Sequence, residues 1–281
     1  RRGDAGAGDR PDPAGRPRAA RIRKIKEIRG DLEFVQVVDG DCEITAGWFD
    51  TAMEVMKRRE DVAVVCGRRR ERHPEASIYN RLLDMEWNAR TGEVSACGGD
   101  SLIRLKAFDD VRGFDPSLIA GEEPEMCLRM RRRDWRIVRT ADEMTIHDAA
   151  MKEFSQWWKR SVRCGFTYAE GSAMHGASLD RYYLKQILSV LFWGLLVPIS
   201  ALGGAWFTNG MSLVLIGGYP ILWWRFRRWR TAMNDASGDA SLFALFGVLG
   251  KFAELQGVFN YWLDRSLGRT SRLIEYKTVQ Q

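Results

Sequence analysis

The sequence holds no Cys-x-x-Cys pair, no phosphate-cradling glycine-rich loop, only three histidines, and no charged side chain from Gln186 to Trp224. The five cysteines (Cys42, Cys66, Cys97, Cys127 and Cys164) are odd in number and scattered. That argues against a zinc site or a disulfide frame and for a reducing compartment. The missing P-loop argues against phosphoryl or nucleotidyl transfer built on such a loop. No secretory signal peptide is recognisable. Residues 1–20 contain no aromatic and no large aliphatic side chain. Such a stretch cannot bury enough to order itself, so it reads as a disordered or unrelated tail. The chain opens with Arg1 and not Met, and the expectation is a fragment.

What remains is ample for a fold. The chain has 281 residues, 45% apolar and 28% charged, enough for one sizeable domain and an appendage. The net charge of +6 suits nucleic acid, an anionic membrane surface or phosphate-bearing substrates. The basic residues cluster beside the uncharged tract, which favours anionic lipid over nucleic acid. Several of the eleven tryptophans lie there too, as at a membrane interface.

The uncharged tract, as helix, would reach roughly 58 Å, about two crossings of a ~30 Å hydrocarbon core. Thr208-Asn209-Gly210 lies near its middle. The expectation is a transmembrane hairpin within residues 181–230, with arms 187–207 and 211–224, the second short and interrupted by Pro220. A buried helix pair in a soluble protein is the alternative. Arg181 and Lys185 precede the tract; Arg225, Arg227, Arg228 and Arg230 follow it. Both ends are therefore expected on the cytoplasmic side. Residues 242–263 are apolar but carry Lys251, Glu254 and Gln256. A third span would bury charge, so residues 231–281 read as an interfacial amphipathic helix and a basic tail.

Residues 21–180 read as one α/β domain, because strand-like and helical patterns alternate. Residues 21–29 suggest a basic helix. Strands are expected over 32–38, 62–66, 101–105 and 135–139. Helices are expected over 48–58, 78–90, 108–111, 122–133 and 154–168.

Three features carry chemistry. Asp39-Gly40-Asp41 ends an apolar strand, and ligands bind at the carboxyl ends of strands in α/β sheets. Two carboxylates around a glycine can share a divalent cation with substrate phosphates; a hairpin turn is the alternative. Gly121-Glu122-Glu123-Pro124-Glu125 opens a helix. Its acids complement the helix dipole, yet three in four residues exceed that need, and one can accept a proton. His147, in Thr145-Ile146-His147-Asp148, is either a packing residue or a late metal or diphosphate contact.

Together these blocks resemble glycosyltransferase family 2 enzymes of the GT-A (Rossmann-like) fold. Phe34-Val35-Gln36-Val37-Val38-Asp39-Gly40-Asp41 resembles that family's strand and DXD motif. Residues 95–104, with Gly98, Gly99 and Asp100, then Gly113-Phe114-Asp115, Gly121-Glu122-Glu123 and Leu128-Arg129, resemble its acceptor-side block. The resemblance implies that Asp39, Gly40 and Asp41 face the donor diphosphate. It implies that Asp41, Asp39 and His147 hold Mn²⁺ or Mg²⁺. It makes Glu123 the catalytic base, with Glu122 the runner-up. The hairpin and tail resemble those of bacterial members that build cell-envelope polysaccharide, implying an inner-membrane enzyme with its catalytic domain facing the cytoplasm. The implied reaction is inverting transfer from a nucleotide-sugar donor to a lipid-linked or glycan acceptor. The family's first strand and base-reading Asp have no counterpart upstream of Asp39, so the nucleotide-binding half is expected to be missing. Gln156-Trp157-Trp158-Lys159-Arg160 matches the Gln-x-x-Arg-Trp motif of processive synthases only loosely, with the order changed. An inactive membrane scaffold and a metal-dependent nucleotidyl or phosphoryl transferase are the competing readings.

Overall fold

The computed structural model describes residues 31–118 and 120–269. The tail over 1–20, the basic helix over 21–29 and the chain beyond 269 lie outside the described residues. Strands and helices alternate as expected: β1 (Phe34–Val37), β2 (Cys42–Ile44), α1 (Trp48–Arg58), β3 (Val62–Glu71), α2 (Ile78–Trp87), β4 (Gly92–Glu93), β5 (Ser101–Arg104), α3 (Leu105–Asp110), α4 (Glu122–Arg131), β6 (Arg136–His147) and α5 (Phe154–His175).

The strands form one mixed sheet in the order β1-β5-β3-β6-β2, with β4 also against β6. β3 and β6 are parallel; the other described pairs are antiparallel. β1 and β2 are consecutive in the chain yet stand at opposite ends of this order. A flat five-strand sheet would separate them by ~19 Å, near the limit of the linking residues even fully stretched. The link is instead a tight turn, closed by Cys42 N–H donating to Asp39 O at 3.1 Å. The sheet must therefore curl until its two ends approach each other.

β3 and β6 run further than their hydrophobic stretches suggested. Their extensions are rich in charge, but the charges pair across the surface: Arg70 with Glu143 at 3.1 Å and Arg72 with Glu43 at 2.6 Å. Under the sheet, α1 buries Trp48, Ala52 and Met56 on one face. Gly67 in β3 is what lets Trp48 seat there, since a Cβ would stand 2.7 Å from the indole ring. The Arg104 guanidinium donates to Met56 O at 2.8 Å and Arg59 O at 3.1 Å. It thus places a cation at the negative end of α1.

One cysteine expectation is overturned. Cys66 of β3 and Cys97 form a disulfide within the core beneath the sheet. Spacing along the chain did not show it, because the loop after β4 folds back over β3 and brings Cys97 to Cys66. Closing a loop of this size stabilises by about 3–4 kcal/mol in the chain-entropy account.

Beyond α5 the chain forms α6 (Leu184–Leu191), a π-helical turn (Phe192–Leu196) and α7 (Val197–Ala205). Together they make an apolar rod, Leu184–Ala205, long enough to cross a membrane. The π turn lies just before Pro198. It absorbs the hydrogen bond that proline cannot donate inside a helix. The expected second arm is not a matching span. It splits at Gly217-Gly218 into a 3₁₀ segment (Met211–Gly217) and α8 (Gly218–Thr231), with Pro220 in the first turn of α8. The 3₁₀ segment folds back on α7, where Ser212 Oγ donates to Ala201 O at 2.8 Å.

The helix expected over 242–263 is present and longer. It is a continuous helix, α9 (Ser237–Ser266), the second described helix apolar and long enough to cross a membrane. The charges that argued against burial close on each other, Lys251 Nζ to Glu254 Oε2 at 2.8 Å. α9 packs along α5 with the two backbones in contact. A Cβ on Gly165 would stand 1.9 Å from Glu254 O, and one on Gly257 2.0 Å from Val162 O. Small residues at both faces permit that approach.

Gly165→Val should therefore destabilise the detergent-solubilised chain by about 3 kcal/mol through overpacking. Gly203→Ala, inside α7 with nothing within 4 Å, should leave the thermal midpoint unchanged or slightly raised, since alanine favours the helix. Equal midpoints for the two variants would contradict the crossing.

Candidate functional site

Asp39, Gly40 and Asp41 are the turn between β1 and β2. They do not form a hairpin, because β1 pairs with β5 and β2 with β6. The pairing Val37↔Ser101 lays the chain leaving β1 beside the chain entering β5. It thereby joins Asp39 to Asp100. Asp39 N–H donates to Asp100 Oδ1 at 2.8 Å, and Thr145 Oγ1 donates to Asp100 Oδ2 at 2.6 Å. Arg69 Nη2 stands 2.9 Å from Asp100 Oδ2 and 3.0 Å from Asp39 Oδ2. The Asp100 side chain is fully buried, a position tolerable for a carboxylate only with such partners. Burial pulls the Arg69 pKa down, but the charges of Asp100 and Asp39 outweigh it and hold the guanidinium above its ordinary value.

β6 brings the second half of the site. His147 is the cross-strand partner of Cys42 on β2 and of Glu71 on β3. Two residues back, Thr145 partners Ile44 and Arg69. Residues two apart on a strand share a face, so Arg69, Glu71, Thr145 and His147 lie on the same one. His147 is buried. Its Nε2 lies 3.4 Å from Asp41 Oδ1 and its Nδ1 3.6 Å from Glu71 Oε2. The edge of Trp87 packs on the imidazole at 4.7 Å between centroids, and Arg69 stacks over the same indole at 5.5 Å.

Among the described residues, two groups offer three ligand atoms within 4.8 Å of one another: Asp41, Cys42 and His147, and Asp39, Cys42 and Asp100. Arg69 already balances the charge of the second group, so the first is the better cation site. Burial pushes the Cys42 thiol far up, and its Asp100 neighbour adds to the shift although Arg69 opposes it. The thiol stays protonated, leaving a carboxylate oxygen and an imidazole nitrogen as donors. Adjacent ligands of a six-coordinate ion with ~2.1 Å bonds stand ~3 Å apart, close to the 3.4 Å observed between Asp41 and His147. The carboxylate suits a hard divalent ion such as Mn²⁺ or Mg²⁺, while the imidazole equally suits a softer ion such as Zn²⁺.

The sequence-predicted residues separate into three sets. Asp39, Asp41 and His147 come together. Gly99 lies against Asp39, whose Oδ2 would be 2.6 Å from a Cβ there. Gly40 and Gly98 are exposed and open. Asp100, expected on the acceptor side, lies buried behind Asp39 and supports it. Glu122 and Glu123 stand at the start of α4 and belong to neither ligand group. Glu122 is buried and Glu123 half-buried. Burial, with the Glu123 charge adding to it, pushes the Cys127 thiol up to about 12. The third acid of that run, Glu125, is structural. It takes Arg129 Nε at 2.7 Å and His175 Nε2 at 2.9 Å, while Arg129 Nη2 donates to Gly113 O at 2.7 Å. Arg69, Glu71, Thr145 and Trp87 were not singled out from sequence. Their signal was the alternation of Arg69 and Glu71 beyond an apolar strand, masked by the charges around it.

No family model and no curated protein matches the chain. Among solved structures it is similar to the mannosyltransferase PcManGT from Pyrobaculum calidifontis, determined in complex with GDP-Man and Mn²⁺. The identity is 17% over 86% of this chain and 68% of that one, with a TM-score of 0.48.

Arg69→Met should strand Asp100 as a buried charge and destabilise the protein by about 3–5 kcal/mol in urea unfolding. Arg59→Met, which removes an exposed pair with Asp61 and Glu93, should leave the midpoint where it is. Comparable midpoints for the two variants would show that Arg69 is not the counter-ion of Asp100.

Proposed function

We propose that this chain is a metal-dependent glycosyltransferase of family 2, moving a sugar with inversion from a nucleotide-sugar donor to a lipid-linked or cell-envelope glycan acceptor. The observation that carries this reading is the meeting of the Asp39-Gly40-Asp41 turn with His147 at the carboxyl ends of β1 and β6. Asp41 and His147 are the proposed ligands of Mn²⁺ or Mg²⁺, with Asp39 beside them, and all three face the donor diphosphate. A bound divalent ion would neutralise charge on the departing nucleoside diphosphate. Arg69 holds Asp39 in place through its ion pair and keeps the turn from opening. Glu123, at the start of α4, takes the proton from the acceptor hydroxyl as that hydroxyl attacks the anomeric carbon. Glu122 is the alternative base. One base on the face opposite the leaving group gives inversion.

The membrane side of the proposal rests on the helices after α5. Leu188, Phe192, Leu196 and Ile199 are exposed apolar residues on the first rod. With Arg225 they line a groove of about 820 Å³. An apolar groove with one cation suits a lipid tail and its phosphate. On α8, Arg227 stacks on Trp223 at 5.9 Å and Arg228 on Trp224 at 5.4 Å, the pairing of aromatic and basic groups found at membrane interfaces. We place the catalytic domain at the cytoplasmic face of a bacterial inner membrane, where it would reach a lipid-borne acceptor.

Calorimetry on the detergent-solubilised chain with a panel of nucleotide sugars should give Mn²⁺-dependent binding of at least one. Asp41→Ala should weaken it by ~10-fold or more, as expected for a lost metal ligand. Binding indifferent to Mn²⁺, or retained in full by Asp41→Ala, would refute the reading.

A further inference from the structure

The rod Leu184–Ala205 and α9 are each long and apolar enough to cross a membrane, yet α9 is held to the α/β domain along its length. Near its start, Asp239 pairs with Arg81 of α2 at 3.4 Å. Phe246 packs edge-on to Tyr79 of α2 at 5.8 Å and to Trp157 of α5 at 4.8 Å. Further along, Gln256 Oε1 accepts from Trp158 Nε1 at 2.8 Å, and Tyr261 packs on Phe166 at 5.3 Å. α9 therefore lies against the domain instead of leaving it for a bilayer. The inner half of the rod joins the same packing: Ile187, Val190, Leu191 and Leu195 share a core with Phe166 of α5 and Leu255 of α9. α9 crosses the rod at Gly194, where a Cβ would stand 2.7 Å from Lys251 O. The Lys251–Glu254 ion pair thus lies near the level of Gly194, and Arg225 lines the groove beside the same stretch. Charge at that level belongs outside the hydrocarbon.

Beyond Gly194 the chain changes character. None of residues 194–218 is charged, and Leu202, Trp206, Phe207, Met211 and Val214 are exposed. The turn at the tip closes polar groups on one another. Thr208 Oγ1 donates to Gly204 O at 2.8 Å, and Ser212 N–H donates to Thr208 Oγ1 at 3.0 Å. Gly210 N–H donates to Ala205 O at 2.8 Å, and Ser212 Oγ to Ala201 O at 2.8 Å. A turn in water has solvent for these groups; a turn in lipid must satisfy them internally. The return arm is level with Trp193 again at Tyr219, whose hydroxyl donates to Trp193 O at 2.6 Å. From Gly194 to Phe207 a helix rises ~20 Å, which passes one ~15 Å leaflet and falls ~10 Å short of a full ~30 Å core. Just past the base of this hairpin, Arg225, Arg228, Trp224 and Trp229 are exposed on α8. They form a cationic and aromatic collar complementary to anionic headgroups. We propose that residues 194–218 are a monotopic anchor: a hairpin that enters one leaflet of an anionic bilayer and turns within the hydrocarbon, so that this region does not cross. The inference rests on the membrane reading above and replaces a spanning hairpin by an embedded one.

The test adds the full chain to preformed vesicles of phosphatidylethanolamine and phosphatidylglycerol, with a nitroxide on Phe207→Cys. A nitroxide on Glu60→Cys, exposed on the α/β domain, is the control in water. The unsubstituted chain, taken through the same labelling, sets the background from native thiols. Phe207 is exposed, so its replacement leaves the core intact. With a water-soluble nickel chelate on both sides of the membrane, the label at 207 should collide with oxygen and be shielded from nickel. The label at 60 should show the reverse. Ascorbate added outside should reduce the label at 60 quickly and that at 207 slowly. Nickel access at 207 with slow reduction would put the tip in the vesicle lumen; the hairpin would then span, and the proposal would fall while the membrane reading stood. Nickel access with fast reduction, or a chain that does not sediment with the vesicles, would remove the membrane reading as well. Phe207→Glu gives an independent check. It should weaken vesicle binding ~10-fold or more, because the charge would lie in hydrocarbon. A spanning tip would hold that charge in water, so unaltered binding would also overturn the proposal.

Discussion

The register of β6 is the constraint on which the rest depends. β6 lies parallel to β3 and antiparallel to β2, and Thr145, Ile146 and His147 are each in step with both neighbours. A slip of one residue would turn Thr145 and His147 to the opposite face. Asp100 would then lose a hydrogen-bond donor, and Asp41 its imidazole neighbour. The curl of the sheet follows from the same pairing. β2 can join β6 only if the short turn after β1 spans from one end of the strand order to the other, and that turn is Asp39-Gly40-Asp41. The residues proposed to act on a donor are therefore held by the closure of the fold itself.

Charge sits deeper in this arrangement than in a typical surface site. Asp100 is buried beneath Asp39, with Arg69 and Thr145 completing its partners. Glu71 is buried behind His147. Each buried acid backs a more exposed acid or imidazole, so the outer groups are aimed by inner ones that cannot move. The glycine crossing of α5 and α9 extends this rigidity to the helical region. α9 also reaches α2 through Phe246, which packs edge-on to Tyr79 at 5.8 Å. Trp87, at the far end of α2, touches both Arg69 and His147. The helices after α5 and the site thus share one packed framework.

Much of this was legible in the sequence where hydrophobic period and chemistry coincide. α1 runs over the residues its spacing indicates, although its buried stripe is Trp48, Ala52 and Met56, with Phe49 turned outward. The acidic turn and His147 stood out because few residue types serve such chemistry. Charge concealed the rest. Arg68-Arg69-Arg70-Glu71 does not look like the end of a central strand, because nothing in one sequence tells which charges find partners across the sheet. Asp100 was placed on the acceptor side by resemblance, and burial of a lone carboxylate is visible only once Arg69 and Thr145 are in place. The Cys66–Cys97 bridge depends on a loop folding back, and pairing cannot be read from spacing.

The central claim is that strand register brings Asp41 and His147 together as a cation site. The most direct measurement is electron–nuclear double resonance on Mn²⁺ bound to the full chain labelled with ¹⁵N-histidine. The account predicts coupling to one imidazole nitrogen, abolished by His147→Gln and untouched by His175→Gln. Bound Mn²⁺ with no histidine coupling, or coupling that survives His147→Gln, would contradict it.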